Sequence, residues 1–432
     1  MRVAGVIAEY NPLHNGHRHH LKEARRLTKA DFLLCILGGN FTQRGEPAVV
    51  NKWARTRMAL ENGADLVFEL PVVYAVRHAQ GFAGGAVKLL EATGVVDYLV
   101  FGSEHGHITE LKALADFLGQ ENPPFRERLK GYLNEGYPFP AARSMALVDY
   151  HKEKAIPGLE GLRAEEVGAL IRHPNNILGL EYLQALAQTR SSIRPLTIPR
   201  LGAGYHEEKL TNRIASATAI RLALYENKQY PPLLKFMPAR AWQILGEEIE
   251  AGRAPVFIDS FAPQIITLLR RTPLAELRQM AGVGEGLENR LKDAARSAGT
   301  IEDLLAALKT KRYTRTRLQR LLLHFLFNFT VDDARDFSPQ GDPCYLRLLG
   351  FTPRGRQLLK YIKKRATLPL ITKPARDLVP HIKASKRTAR MWELECLATD
   401  LYVLAYPCPR SRQAGQDYTQ PLVITTAEGQ GS

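Results

Sequence analysis

Cysteine is scarce in this 432-residue chain: Cys35, Cys344, Cys396 and Cys408 stand far apart, with no C-x-x-C spacing. Such a scatter supplies neither the disulfide framework of small secreted domains nor a zinc site, and it fits a reducing compartment. No apolar run reaches 18 residues, so no membrane-crossing helix is expected. The first residues also lack a signal-peptide pattern, because Glu9 and Asn11 interrupt the apolar stretch and charge follows. Together these absences predict a cytoplasmic chain with no membrane partner and no disulfide-linked partner. Acidic residues are in deficit as well, 44 against 59 Lys and Arg, leaving a net charge of +15. That excess points to a polyanionic partner, most simply nucleic acid. No internal repeat is present.

What the chain does have, over its first half, is alternation. Short apolar runs at 3–8, 32–37, 66–70, 98–101 and 196–198 predict strands. Amphipathic stretches at 16–27, 52–62, 79–93, 108–118 and 175–188 predict helices. This order implies an α/β fold, a Rossmann-like parallel sheet with helices on both faces, over residues 1–225. Pro231, Pro232 and Pro238 mark a junction, after which long helical patterns dominate, so residues 226–414 read as an all-α region. Residues 415–432 are polar and read as a tail that frays. Polar turns follow several strands (38–40, 69–71, 102–104), as in open α/β sheets with one ligand cleft.

The sharpest motif lies at the first of those turns: Gly5-Val6-Ile7-Ala8-Glu9-Tyr10-Asn11-Pro12-Leu13-His14-Asn15-Gly16-His17, followed by Arg18, His19 and His20. A buried strand leads into a polar turn and then a helix start, where unpaired N–H groups and the helix dipole attract phosphate. His14 and His17 are the candidate catalytic residues, donating hydrogen bonds to a phosphate chain as its charge redistributes. Four histidines this close also admit a metal site or a merely polar surface. A second segment, Ile214-Ala215-Ser216-Ala217-Thr218-Ala219-Ile220-Arg221, offers a Ser-capped helix start, a hydroxyl and a fixed positive charge. With the earlier His-x-Gly-His it favours ATP over a metal. In the second half, positions 309, 312, 313, 316, 317 and 320 would share one helical face, making Lys309, Arg312, Arg317 and Arg320 a candidate RNA-gripping stripe. Further basic groups occupy 354–365 and 383–390. Lys383-Ala384-Ser385-Lys386-Arg387 looks like a synthetase signature loop but falls in this basic region, away from the sheet.

The paired motifs resemble the nucleotidyltransferase α/β superfamily. Segments 9–17, 43–50, 52–56, 101–104, 174–179, 200–206, 284–290 and 309–318 are more similar still to the bacterial tRNA(Met) cytidine acetate ligases, over most of the chain. That resemblance implies a nucleotidyltransferase sheet domain followed by a tRNA-binding helical domain. It implies that ATP and acetate form acetyl-adenylate, whose acetyl group passes to N4 of the wobble cytidine of elongator tRNA(Met). It further implies an ATP site built from Ile7, Ala8, Glu9, Tyr10, Asn11, Pro12, Leu13, His14, Asn15, Gly16, His17, Arg18, His19 and His20, with Gly102, Asn175, Asn176 and Arg200. Ser216, Thr218 and Arg221 join them from the second motif. Asn175 or Asn176 would meet the nucleotide or cap a helix before Ile177. The superfamily's frequent Thr-Phe-Asp-Pro is here Glu9-Tyr10-Asn11-Pro12, which leaves the need for Mg2+ open; no protein metal site is expected. Two other readings remain at this point: a small-molecule nucleotidylyltransferase, and a non-catalytic RNA-binding protein with a relic nucleotide fold.

Overall fold

The computed structural model describes residues 1–120, 122–200, 216–226, 231–284, 286–310 and 313–426. Five parallel strands form its centre: β1 (Val3–Ala8), β2 (Phe32–Gly38), β3 (Leu66–Leu70), β4 (Tyr98–Ser103) and β5 (Arg194–Pro199). All five expected strands are present, within a few residues of their predicted ends. Every residue of β2, Phe-Leu-Leu-Cys-Ile-Leu-Gly, is buried, as a strand covered on both faces requires. Alternate residues divide between two cores. Val3, Leu34, Ile36, Phe68 and Leu99 join one face; Ala4, Val6, Leu33, Cys35, Leu37 and Val100 join the other.

The strand order is β5-β4-β1-β2-β3-β6-β7. After β3 the chain returns to the far side of β1, pairing Ala4 with Tyr98. The carboxyl ends of β1 and β4 therefore flank a topological switch point, where this fold class opens a crevice for ligand. Helix α1 (Asn15–Thr28) starts at that crevice and α2 (Lys52–Leu60) follows β2.

The second half is mainly helical, as expected, but it also completes the sheet. Strand β6 (Leu346–Phe351) pairs antiparallel with β3, Leu66 opposite Phe351. Strand β7 (Leu370–Ile371) extends that edge, and β8 (Val423–Ile424) pairs with β6. Two expectations are thereby corrected. Residues 226–414 are not purely helical, because the six-residue run at β6 becomes a strand only by meeting the open edge of β3. Residues 415–426 do not fray. Asp417 is buried, its Oδ1 lying 2.6 Å from both Lys52 Nζ and Arg347 Nη1. Around it, Lys52 also meets Glu69 at 2.7 Å and Glu395 at 3.3 Å, and Arg347 meets Glu69 at 2.8 Å. Burial and the neighbouring Glu69 charge push the Glu395 carboxyl up.

Among the described residues no helix is long and apolar enough to cross a membrane, and the four cysteines are free.

Candidate active site

Strand β1 is buried through Val6 and opens at Ile7, Ala8 and Glu9. The turn that follows is tightly held. Tyr10 is buried at φ +48°, a conformation that L side chains occupy at a cost and that recurs at functional turns. Asn11 Oδ1 accepts the Val49 N–H at 2.8 Å, and Leu13 is buried in the core. The Asn15 side chain donates to the Lys235 carbonyl at 2.8 Å, turned toward the helical half.

His14 is the N-cap of α1. Its Nδ1 accepts the Gly16 N–H at 3.0 Å, and His17 Nδ1 accepts the His14 N–H at 3.3 Å. The two rings stack with centroids 3.7 Å apart, and Tyr10 meets His17 edge-on at 5.0 Å. Burial, then the charges of Arg200 and Arg221, hold the His14 imidazole down to about 3. Burial, His14 and Arg200 push His17 well below its usual range, and His20 falls to about 4 for similar reasons. Both rings are thus neutral near pH 7. Since Nδ1 of each is an acceptor, the proton sits on Nε2, leaving each ring one outward-capable donor. Among the described residues, His20 Nε2 is a buried atom with no hydrogen-bond partner. Arg18 and His19 are half-buried on the same first turns.

Positive charge arrives from three other elements. Arg221, on the helix Ala217–Tyr225, donates to the Asn11 carbonyl at 3.0 Å and the Thr218 hydroxyl at 3.3 Å, and lies 3.4 Å from Glu46. Ser216 caps that helix, accepting the Ala219 N–H at 3.1 Å. Arg200 follows β5; its N–H donates to the Ser103 carbonyl at 3.0 Å and its Nη1 to Asn175 Oδ1 at 3.4 Å. Arg44 feels Glu9, Arg221, Glu46 and Arg200. Gly102 lies in β4, where an added Cβ would make only ordinary contact, 3.5 Å from Arg200 Cγ.

Asn175 and Asn176 stand at the start of the helix Pro174–Gln188, whose N-cap is His173 rather than either asparagine. Glu104 accepts from Asn175 Nδ2 at 2.6 Å and from the Asn176 N–H at 2.9 Å, while Asn176 Oδ1 accepts the His105 N–H at 3.1 Å. The helix start is therefore occupied by a carboxylate, and Asn175 reaches the crevice through Arg200.

The stated similarity can now be tested. The family described as HIGH Nucleotidyl Transferase matches residues 1–417. The tRNA(Met) cytidine acetate ligase of Acetivibrio thermocellus is 45% identical, covering 98% of this chain and 100% of its own. The chain belongs to the tRNA(Met) cytidine acetate ligase family. The ligase of Halothermothrix orenii is 44% identical over 98% of this chain and 99% of its own. A crystal structure of Thermotoga maritima TmcAL bound with alpha-thio ATP is 37% identical and superposes with a TM-score of 0.90, covering 99% of this chain and 100% of that one.

Within this family member, several residues of the resembling segments take structural roles that no motif assigned to them. Arg55 is wholly buried on α2 and donates to the carbonyls of Glu9 at 2.6 Å, Gly38 at 2.9 Å, Val50 at 3.0 Å and Gly39. It ties the ends of β1 and β2 together and forms no ion pair among the described residues. Glu9 Oε1 accepts the Gln43 N–H at 2.6 Å, fixing the 42–46 loop over the turn. That loop rests on the helix Arg315–Phe327: Gly45 has φ +82°, and a Cβ there would lie 2.3 Å from the Arg320 nitrogen.

The candidate RNA stripe is not one helical face. Lys309 closes the helix Ile301–Leu308, and a new helix begins at Arg315 after its Thr314 cap. The two capping residues interrupt a pattern that sequence periodicity read as continuous. Lys309 and Arg317 are exposed; Arg317 stacks 4.6 Å from the Tyr313 ring centroid. Arg320 turns inward and donates to the Gln43 carbonyl at 3.0 Å. Arg312 and the Gly202–Gly204 stretch lie outside the described residues. Ser385 caps the helix Lys386–Val403, giving the synthetase-like stretch a structural role.

Among the described residues no group of three or more His, Cys, Asp or Glu side chains could hold a metal ion. The carboxylates nearest the turn are engaged: Glu9 by Gln43, Glu46 by Arg221, and Glu104 by Asn175. They do not fit a protein-ligated Mg2+.

Proposed function

We propose that this chain is an ATP-dependent acetate ligase that forms acetyl-adenylate and transfers the acetyl group to N4 of the wobble cytidine of elongator tRNA(Met). The observation that carries this reading is the pair of stacked neutral histidines at the α1 N-terminus, both in the Nε2–H form, beside Arg44, Arg200 and Arg221. Neutral donors suit a site that already gathers three guanidinium groups, because they add hydrogen bonds without further repulsion.

In the first half-reaction an acetate oxygen attacks the α-phosphorus of ATP, and the bond to the β-phosphate oxygen breaks. Acetate is itself the nucleophile, so no enzyme base is needed; orientation and charge compensation suffice. His14 and His17 are proposed to donate to the phosphates as pyrophosphate departs, with His20 Nε2 available to the same ligand. Arg200, Arg221 and Arg44 neutralise its charge. The crevice at Gly102 leaves backbone room for adenosine, and Asn175 and Asn176 set Arg200 and the neighbouring loop. In the second half-reaction the cytidine N4 attacks the acetyl carbonyl, AMP leaves and the amine loses a proton. A cytidine drawn out of the anticodon stack brings N4 to the anhydride.

The functional division proposed is ATP chemistry on residues 1–225 and tRNA contact on 226–414, through Lys309, Arg312 and Arg317, with Arg320 bracing the 42–46 loop. The chain is expected to act in the cytoplasm, where tRNA and ATP meet. Incubation with ATP, labelled acetate and total tRNA, followed by nucleoside analysis, tests the reading: label on cytidine is expected. Label-free tRNA with a phosphorylated small molecule adenylated instead would select a small-molecule nucleotidylyltransferase.

A further inference from the structure

The helix Pro353–Arg365 carries Arg354, Arg356, Lys360, Lys363, Lys364 and Arg365 and no acidic residue. Its apolar side, with Leu358, Leu359 and Ile362, is buried against the sheet, and all six cations are exposed. Arg356, Lys360, Lys363, Lys364 and Arg365 form no ion pair among the described residues. A row of cations on a helix is ordinarily a solvated face, but here it borders an open groove of about 620 Å3 between this helix and the start of β2. The groove is lined by Asp31, Arg354, Gln357, Lys360, Tyr361 and Lys364. Arg354, Gln357, Tyr361 and Lys364 follow i, i+3 and i+4 spacing, so one helical side presents a cation, an amide, an aromatic ring and a second cation in turn. Tyr361 is 47% exposed, so its ring is within reach of a flat partner in the groove. Arg354 is anchored at the base of the helix, its guanidinium lying 3.8 Å from the buried Asp65.

The groove sits at the amino ends of the parallel strands, beside Asp31 and Phe32, whereas the candidate active site sits at their carboxyl ends. Six residues of β1 separate the two edges by about 20 Å. A phosphate chain supplies regularly spaced charges for unpaired lysines, and an unstacked base supplies the flat face for a tyrosine.

We propose that this groove is a second tRNA contact, holding the sugar-phosphate backbone of a part of the tRNA outside the anticodon loop, with one nucleobase stacked on Tyr361. The inference rests on the reading of tRNA as the acetyl acceptor. It assigns this face the task of placing the tRNA body while the anticodon is presented at the opposite edge of the sheet.

The test compares wild type, Lys360→Glu with Lys364→Glu, and Tyr361→Ala on full-length elongator tRNA(Met) and on its isolated anticodon stem-loop. Tightness of binding is measured across a salt series, and acetate-dependent ATP–pyrophosphate exchange serves as the control for an intact first half-reaction. The double variant is expected to bind full-length tRNA at least tenfold more weakly, with the salt slope reduced by about 2. Tyr361→Ala is expected to lose about fivefold or more. Both variants should bind the stem-loop like wild type and keep full exchange activity. Unchanged binding of full-length tRNA would overturn the groove, and an equal loss on the stem-loop would overturn its placement away from the anticodon. Failure of wild type to acetylate tRNA at all would instead strike the proposed activity, since the groove is read from binding differences alone.

Discussion

The two edges of the sheet handle positive charge in opposite ways. At the carboxyl edge, Arg221 and Arg200 are each tied to named oxygens, and Arg55 is buried among four carbonyls. At the amino edge, the lysines of the Pro353–Arg365 helix are exposed and form no ion pair among the described residues. Fixed cations supply geometry, which a reaction at one phosphorus atom needs. Unpaired cations supply range and tolerance, which suit a long polyanion whose charges repeat. On the proposed reading, the same residue types serve chemistry at one edge and attraction at the other, according to whether the fold has already assigned them a partner.

The strongest way to break this contrast is His17→Ala. Loss of one phosphate donor is expected to slow acetate-dependent adenylate formation about 10²–10³-fold while tRNA binding stays unchanged. Exchange kinetics and a binding titration would check it, and wild-type exchange would remove the histidine's assigned role. Arg221→Lys keeps the charge but not the fork that spans the Asn11 carbonyl and Thr218. Adenylate formation should fall about tenfold, since a charge-assisted hydrogen bond contributes about 1.5–3 kcal/mol and a lysine restores only part of it. A smaller effect is expected at Arg317, which is exposed on the tRNA side: Arg317→Glu should weaken tRNA binding a few-fold at low salt and leave exchange untouched.

The smallest expected effect concerns pH. With His14 held near 3 and His20 near 4 in the folded protein, neither gains a proton between pH 8 and pH 5. First-half-reaction rates should show no histidine titration there, and a midpoint near 6.5 would contradict the buried neutral pair. Folding responds differently. The unfolded chain's imidazoles bind protons from about pH 6.5 downward, whereas the folded ones do so only near 3 to 4. Stability from these groups is therefore full above pH 6.5 and is lost as pH falls toward 3, so thermal midpoints should drop on acidification before activity does.

Much of this was legible in the sequence because it is local. β1 and β2 announce themselves as apolar runs, and the His-x-Gly-His turn follows directly from β1. Ser216 caps its helix as expected from its position before Ala217. What escaped is non-local. The strand identity of Leu346–Phe351 depends on the edge of β3, far upstream. Arg55 lies in the resembling 52–56 segment, but its role exists only because β1 and β2 end side by side. The supposed stripe from 309 to 320 failed for a local reason: the Thr314 cap starts a new helix, which periodicity alone does not register. Asn175 and Asn176 were found as site neighbours, but Glu104, which occupies their helix start, was not foreseen in that role.

The buried cluster around Lys52 carries a consequence for the order of manufacture. Lys52 and Glu69 are made early, yet the buried cluster they share is completed only by Arg347, Glu395 and Asp417. The cluster can therefore close only after residue 417 has been made. Until then the nascent half holds a lysine and a glutamate in a site that later segments will seal. A fragment ending near residue 225 lacks β6 and the partners of Lys52, so it should emerge as an unfinished sheet rather than a smaller enzyme.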